Sequence, residues 1–256
     1  MAKPTAPAPL PLDALSGLTA EALADRFSGP EAPRWIAVAA RLGHVGAMVL
    51  HGQALLDAGD GAGALAWFQA AAGAGDAMAM NMVGRCHEMG WGTAADAAVA
   101  LGWYQRAAEA GLNWGQYNLA GLLWRGAGVP ADRAAALAWY RRAAAQGHAK
   151  ALNILGRFLE EGWEAAPDPR AAAALYARAA EGGDCRGMYN LATLLLAEGL
   201  VTEAASWFRR AAKCGTEGVR ASMRQRLAAH PEPALRAIAG EIGAGQTASG
   251  RTLKLR

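Results

Sequence analysis

One string recurs along this chain at nearly constant spacing: W-Y-x-x-A-A-x-x-G, or a close relative of it. Copies run from Trp67 to Gly75, Trp103 to Gly111, Trp139 to Gly147, Leu175 to Gly183 and Trp207 to Gly215. Trp35 to Gly43 precedes them, and Leu235 to Gly243 is a worn copy after them. Successive closing glycines are 32, 36, 36, 36, 32 and 28 residues apart. A period in this range marks a stacked repeat, in which one unit alone buries too little apolar surface and each leans on its neighbours.

Composition identifies the unit as helical. Of 256 residues, 66 are Ala, against 4 Ile and 8 Val. Ala is the strongest intrinsic helix former and β-branched residues are what sheets favour, so an all-α chain is expected. Each unit reads as two helices. A first helix follows the opening glycine, as in the segment through Asn118 that ends at Gly126, and a short loop leads to the second. Asp60, Asp96, Asp132 and Asp168 each stand seven residues before the Trp or Leu of the motif. That is an N-cap position, where a carboxylate accepts from orphan backbone N–H groups at the positive helix end. Ser28 is expected to cap the first half-unit. In the fifth unit Leu200 replaces the Asp, so Thr202 is expected to cap there. Counted from the opening glycine, offset 4 is always small (Ala47, Ala79, Gly115, Ala151, Gly187), and so is offset 9 (Gly52, Gly84, Ala120, Gly156, Ala192). Small residues at fixed register let helices approach closely, with the motif aromatics filling the remaining space.

The third unit, with Tyr117-Asn118-Leu119-Ala120, Gly126-Ala127-Gly128-Val129, Asp132 and Trp139-Tyr140, carries the fullest form of the pattern. It resembles the Sel-one-like repeat (SLR), a relative of the tetratricopeptide repeat, and the resemblance spans residues 31 to 215. The resemblance implies a right-handed αα superhelix (solenoid) of about five full helix pairs plus degenerate capping units, serving as an adaptor or scaffold. The expected organisation is a flexible Pro/Ala-rich arm over 1–15 and a solenoid over 16–243. Its units are a cap at 16–42, then 43–74, 75–110, 111–146, 147–182 and 183–214, and a cap at 215–243. A flexible basic tail over 244–256 follows.

Other classes find little support. No apolar stretch is long enough to cross a bilayer, and proline interrupts the N-terminus where a signal peptide needs a continuous apolar helix. Cys86, Cys185 and Cys214 form an odd set without short paired spacing, so neither a disulfide framework nor a zinc knuckle is indicated. A soluble protein of the reducing cytoplasm is therefore expected. From Gly199 onward 10 Lys or Arg face 4 Glu, but no RNA-binding signature accompanies this basic end, so nucleic acid is not the expected partner. The chain shows no G-x-S-x-G elbow and no phosphate-binding glycine run. His51 with Cys86 and His87 is the one metal-like constellation, and its expected fate is as buried polar side chains rather than a site. No cofactor and no catalytic residue are expected, with a hydrolase or metal-dependent activity in the groove as the alternative.

On a helix each residue advances about 100°, which sorts first-helix offsets by direction. Offsets 4, 5, 8, 9, 11 and 12 share a mostly apolar or small arc, expected to be core. Offsets 3, 6, 7, 10, 13 and 14 share the opposite arc, which in related αα solenoids lines the concave surface. The expected partner-binding residues lie there: Asn81, Met82, Arg85, Trp114, Tyr117, Asn118, Trp124, Arg125, Asn153, Arg157, Arg186 and Asn190. Trp and Arg dominate binding hot spots, and Met adapts to varied partners. The asparagines could instead bridge adjacent first helices. Trp91 and Trp163 lie at the same offset in inter-helix loops and are expected to cover helix ends. A monomer that grips a peptide or domain of another protein is the expected function.

Overall fold

A computed structural model describes residues 26–163 and 166–249. Among the described residues every regular element is a helix: α1 (Ala32–Arg41), α2 (Val45–Asp57), α3 (Gly61–Gly73), α4 (Ala77–Met89), α5 (Ala97–Glu109), α6 (Asn113–Arg125) and α7 (Arg133–Ala145). They continue as α8 (Ala149–Glu161), α9 (Pro169–Glu181), α10 (Cys185–Ala197), α11 (Val201–Cys214), α12 (Glu217–Ala228) and α13 (Pro233–Ser249). None is long and apolar enough to cross a membrane. The chain divides into two compact units at Ala136/Leu137, within α7. In the first, α2 packs on α3, α3 on α4, α4 on α5 and α5 on α6. In the second the order is α8, α9, α10, α11, closed by α12 and α13. Each unit is a stack of helix pairs, the solenoid architecture the repeat dictates.

Offset 9 explains the spacing within a pair. A Cβ on Gly84 would lie 2.7 Å from the Tyr104 ring, one on Gly156 2.6 Å from Tyr176, and one on Gly52 2.7 Å from Phe68. In these three repeats the aromatic of the second helix therefore lies directly on the backbone of the first, whereas Ala120 and Ala192 hold offset 9 in the other two. Tyr104, Tyr176 and Phe68 are fully buried there. Offset 4 sets the spacing to the preceding second helix: Cβ atoms on Gly115 and Gly187 would meet Ala107 and Ala179 at 2.7 Å. The paired alanines of the motif, such as Ala107-Ala108 and Ala179-Ala180, are buried at these contacts. The recurring closing glycine answers to the backbone, since Gly75, Gly111, Gly147 and Gly183 hold φ between +79° and +90°, where a side chain would be strained.

The second-helix caps form as the sequence dictates. Asp60 accepts from the Gly63 N–H at 2.8 Å, Asp96 from Ala98 and Val99, Asp132 from Ala135 and Asp168 from Ala171. Two expected caps do not form. Ser28 closes the preceding helical segment, and Glu31 stands at the α1 N-cap with Pro33 inside the first turn. Leu200 keeps the N-cap place of α11 with no side-chain bond, because the repeat register starts that helix at Val201 and carries Thr202 inside its first turn. The final helix runs to Ser249, so residues 244–249 are helical where a flexible tail is expected. The N-terminal arm over 1–15 and the rest of the tail lie outside the described residues.

Three first helices, α4, α8 and α10, carry side-chain caps of their own on the residue after the closing glycine. Asp76 accepts from Ala79 N–H at 2.7 Å and Asp184 from Gly187 N–H at 2.8 Å. In the repeat preceding Asp184 His148 Nδ1 accepts from Ala151 N–H at 3.3 Å, whereas Leu112 holds the place in the repeat before that and makes no side-chain cap. His148 is buried, and burial, then the nearby Lys150 charge, lower its pKa to about 4. Protonation would remove the cap acceptor and leave a charge out of water.

Two outcomes are expected. Gly84→Ala should destabilise the chain by about 1–3 kcal/mol because the Tyr104 ring has nowhere to go, whereas Gly102→Ala, in open space within α5, should stabilise by about 0.5–1 kcal/mol. Thermal melts of both variants check this. The folded pKa of His148 lies below its unfolded value of 6.5, so its contribution is complete above pH 6.5 and is lost as pH falls toward 4. The loss should be on the order of 3 kcal/mol. Melts from pH 7 to 4.5 should therefore steepen less in His148→Asp, which installs the neighbours' cap.

Candidate functional site

Within each compact unit first helices lie side by side, α4 with α6 and α8 with α10, so offset 6 of one repeat meets offset 7 of the next. These positions do not line an open face there, whereas Leu50 at offset 7 of α2 stays exposed. Asn118 Nδ2 donates to Asn81 Oδ1 at 2.8 Å, and Asn190 Nδ2 donates to Asn153 Oδ1 at 2.9 Å. Asn81 and Asn153 are buried, 3% and 4% exposed. Their carboxamides bridge helices, the structural one of the two roles open to them. Met82 is likewise buried, in the cluster that Val49 packs against. A buried Met82 cannot serve as a surface contact.

Offsets 3, 10, 13 and 14 stay accessible. In the first unit Trp114 is exposed (41%), with Tyr117 edge-on to it at 6.5 Å. Met78 and Met89 on α4 and Leu50 on α2 are exposed as well, all from the same arc. Arg125 reaches across to Glu88, Nη2 to Oε1 at 2.6 Å. The other Glu88 oxygen accepts from Tyr104 Oη at 2.6 Å. One carboxylate thus ties α4 to α5 and α6, and burial and this bond push the Tyr104 phenol above its ordinary pKa. Glu160 and Tyr176 repeat the bond at 2.6 Å in the second unit. At the same register the third repeat carries Trp124, half-buried, with the Arg133 guanidinium 5.1 Å from its ring centre.

Two further arginines of the arc stack on loop tryptophans. Arg85 lies 5.0 Å from the Trp91 ring and Arg157 5.3 Å from Trp163. Trp163 also meets Phe158 edge-on at 4.8 Å, over the end of α8. Arg157 pairs with Glu161 at 2.9 Å. Arg186 is exposed at the start of α10, and Asn190 is half-buried.

His51, Cys86 and His87 do not assemble. His51 packs edge-on to Trp67 at 5.3 Å, and Cys86 is fully buried, its thiol pushed up to about 11 by burial. Among the described residues no three His, Cys, Asp or Glu side chains come together in a metal-binding arrangement. Cys185 and Cys214, which sequence spacing left unpaired, are joined in a disulfide. The bridge removes the cysteine argument for a reducing compartment. Their separation of 29 residues is one hairpin long, and only the repeat register reveals that the two positions face each other.

Family comparison follows the same frame. The Sel1 repeat model matches residues 36–76, 77–112, 115–148, 149–184 and 185–216. The chain belongs to the Sel1 repeat family. Sel1 repeat proteins generally mediate protein–protein interaction, and the helical solenoid is their fold. Among solved structures, c5321, a protective antigen present in uropathogenic Escherichia coli strains, is 28% identical with a TM-score of 0.64, covering 86% of this chain and 49% of that one. A Sel1 repeat protein from Oxalobacter formigenes is 26% identical with a TM-score of 0.65, covering 77% of this chain and 59% of that one. The present chain thus spans about half to three-fifths of their lengths. The immunity protein Pa5087 from Pseudomonas aeruginosa shares the fold at 18% identity and a TM-score of 0.56, covering 79% of this chain and 80% of that one. No curated protein matches the chain.

Glu88→Ala should cost about 2–3 kcal/mol, since it strands the buried Tyr104 hydroxyl, whereas Arg125→Ala should cost under about 1 kcal/mol because that guanidinium is half in water. Urea titrations of the two Sel1 repeat variants compare the losses directly.

Proposed function

We propose that this Sel1 repeat chain is a non-enzymatic scaffold that holds a peptide or domain of another protein on the first-helix face of its first compact unit. The observation that carries the reading is the exposure of Trp114 on the same arc as Leu50, Met78 and Met89. Single exposed apolar residues are ordinary, but four on one arc of the first helices α2, α4 and α6 offer several apolar contacts to a partner laid along it. Around it Tyr117, Arg85, Trp124 and Arg125 supply stacking and hydrogen-bonding groups, the usual surround of a buried anchor. Arg157 and Arg186 hold the corresponding arc of the second unit and contribute polar contacts there. The family's general role in protein interaction supports this reading.

Helices fix these side chains, so binding orders few groups and loses little entropy. Trp114 stands in the first turn of α6, where the Asn118–Asn81 bond and the Arg125–Glu88 pair hold the helix against α4. A partner that inserts an apolar side chain beside Trp114 meets a platform already formed.

Trp114→Ala should leave the helical circular dichroism unchanged and abolish capture of the partner from host lysate by the immobilised protein. Trp103→Ala, on a second helix with Arg106 over its ring, should retain capture. Undiminished capture by Trp114→Ala would place the contact elsewhere.

A further inference from the structure

The Cys185–Cys214 pair occupies two positions of the repeat, the start of the first helix and the residue before the closing glycine, that only the last complete repeat fills with cysteine. Cys185 is the first residue of α10, and Cys214 ends α11 just before the closing Gly215. The equivalent positions are Val45 and Ala74, Ala77 and Ala110, Asn113 and Gln146, and Ala149 and Gly182. In the preceding repeat a Cβ on Gly182 would lie 2.9 Å from Ala149 Cβ, so the hairpin register itself sets these two positions against each other. In the last repeat the Cα atoms stand 5.8 Å apart, within the span a disulfide bridges.

The location decides what the bond controls. α10 and α11 are joined at their far ends by the turn at Gly199, and the disulfide joins their near ends, making the pair a covalent ring. On this pair rest α12 and α13, through Met223, Leu227, Leu235, Ile238 and Ile242. Among the described residues no further repeat lies beyond them, and the ends of a stacked array open most easily. A bond that limits the opening of α10 against α11 therefore limits release of the two helices that depend on both. The bond is also reachable: Cys214 is exposed and Cys185 half-buried, whereas Cys86 is fully buried and cannot compete in exchange.

We propose that Cys185 and Cys214 form a reversible thiol–disulfide lock on the last complete repeat, which in its oxidised state holds α12 and α13 on the stack. The oxidant is a low-molecular-weight disulfide, RSSR. The Cys185 thiolate attacks one sulfur of RSSR, forming a mixed disulfide and expelling RS⁻. The Cys214 thiolate then attacks Cys185 Sγ, forming the intramolecular bond and expelling the second RS⁻. Two protein thiols are oxidised, one RSSR is reduced, and the two thiol protons leave with two RSH. A thiol in excess reverses both steps. The inference stands apart from the partner-binding reading, since no residue of the Trp114 face takes part.

The experiment equilibrates the full chain with reduced or oxidised glutathione and reads thiols by alkylation in denaturant and backbone opening by hydrogen exchange. With oxidised glutathione one cysteine of the three should alkylate, with reduced glutathione all three. Reduction should speed exchange in 217–242 about tenfold and leave 45–125 unchanged. Cys185→Ser should show the fast rates in either buffer, and the wild-type comparison stands by itself should that variant fold poorly. Three alkylatable thiols after oxidised glutathione, or exchange over 217–242 indifferent to reduction, would overturn the proposal.

Discussion

The contact on which the array depends is an aromatic ring laid on a bare stretch of helix backbone. Tyr104 on Gly84, Tyr176 on Gly156 and Phe68 on Gly52 fix how close the two helices of a pair can come. That distance fixes the loop and cap that join them, and the alanine pair one turn further along sets the approach of the next repeat. Where the ring lies on glycine an added methyl would meet it at 2.6–2.7 Å, whereas the repeats that carry Ala120 and Ala192 at the same register accommodate one. Shifting either helix by one residue would set the ring against a side chain.

Against this apolar geometry the polar groups do a different job. Asn81 with Asn118, Asn153 with Asn190, and Glu88 between Tyr104 and Arg125 satisfy one another where first helices run side by side. Apolar contact between alanine-rich helices is forgiving of sliding, and a buried carboxamide pair is not, because each slip would strand a polar group out of water. These pairs act as pins for the stack, and the Trp114 surface inherits its order from them.

Much of this was legible in the residues because the repeat supplies its own alignment. Helix number and order, the four Asp caps, the core arc and the small positions at offsets 4 and 9 follow from spacing and propensity alone. What stayed hidden depended on neighbours. The helical wheel sends Asn81, Met82 and Asn153 outward, but the adjoining first helix covers them, and a wheel drawn for one helix holds no information about the next. Cys185 and Cys214 looked unrelated because cysteine spacing was judged along the chain, although both sit at hairpin ends. Asp76, His148 and Asp184 follow three of the closing glycines, but Leu112 stands at the same place in the repeat between Asp76 and His148, so spacing alone does not mark the place as a cap. Thr202 shows the opposite error, in which a good capping residue yields to a register set by packing elsewhere.

The bridging pairs also disclose the grain of the array. Asn81 and Asn153, Arg85 and Arg157, Glu88 and Glu160, Trp91 and Trp163, Tyr104 and Tyr176, Tyr117 and Tyr189, and Asn118 and Asn190 all recur at an interval of 72 residues, not 36. The acceptor and donor of each carboxamide pair belong to consecutive repeats, so a single repeat carries half of a bond. Removing one would bring the sequence position of Ile154 opposite Asn81, while removing two would bring Asn190 there. The smallest segment of this protein that carries a whole pin is accordingly a double repeat, and excising two helix pairs together keeps a carboxamide opposite Asn81 where excising one does not.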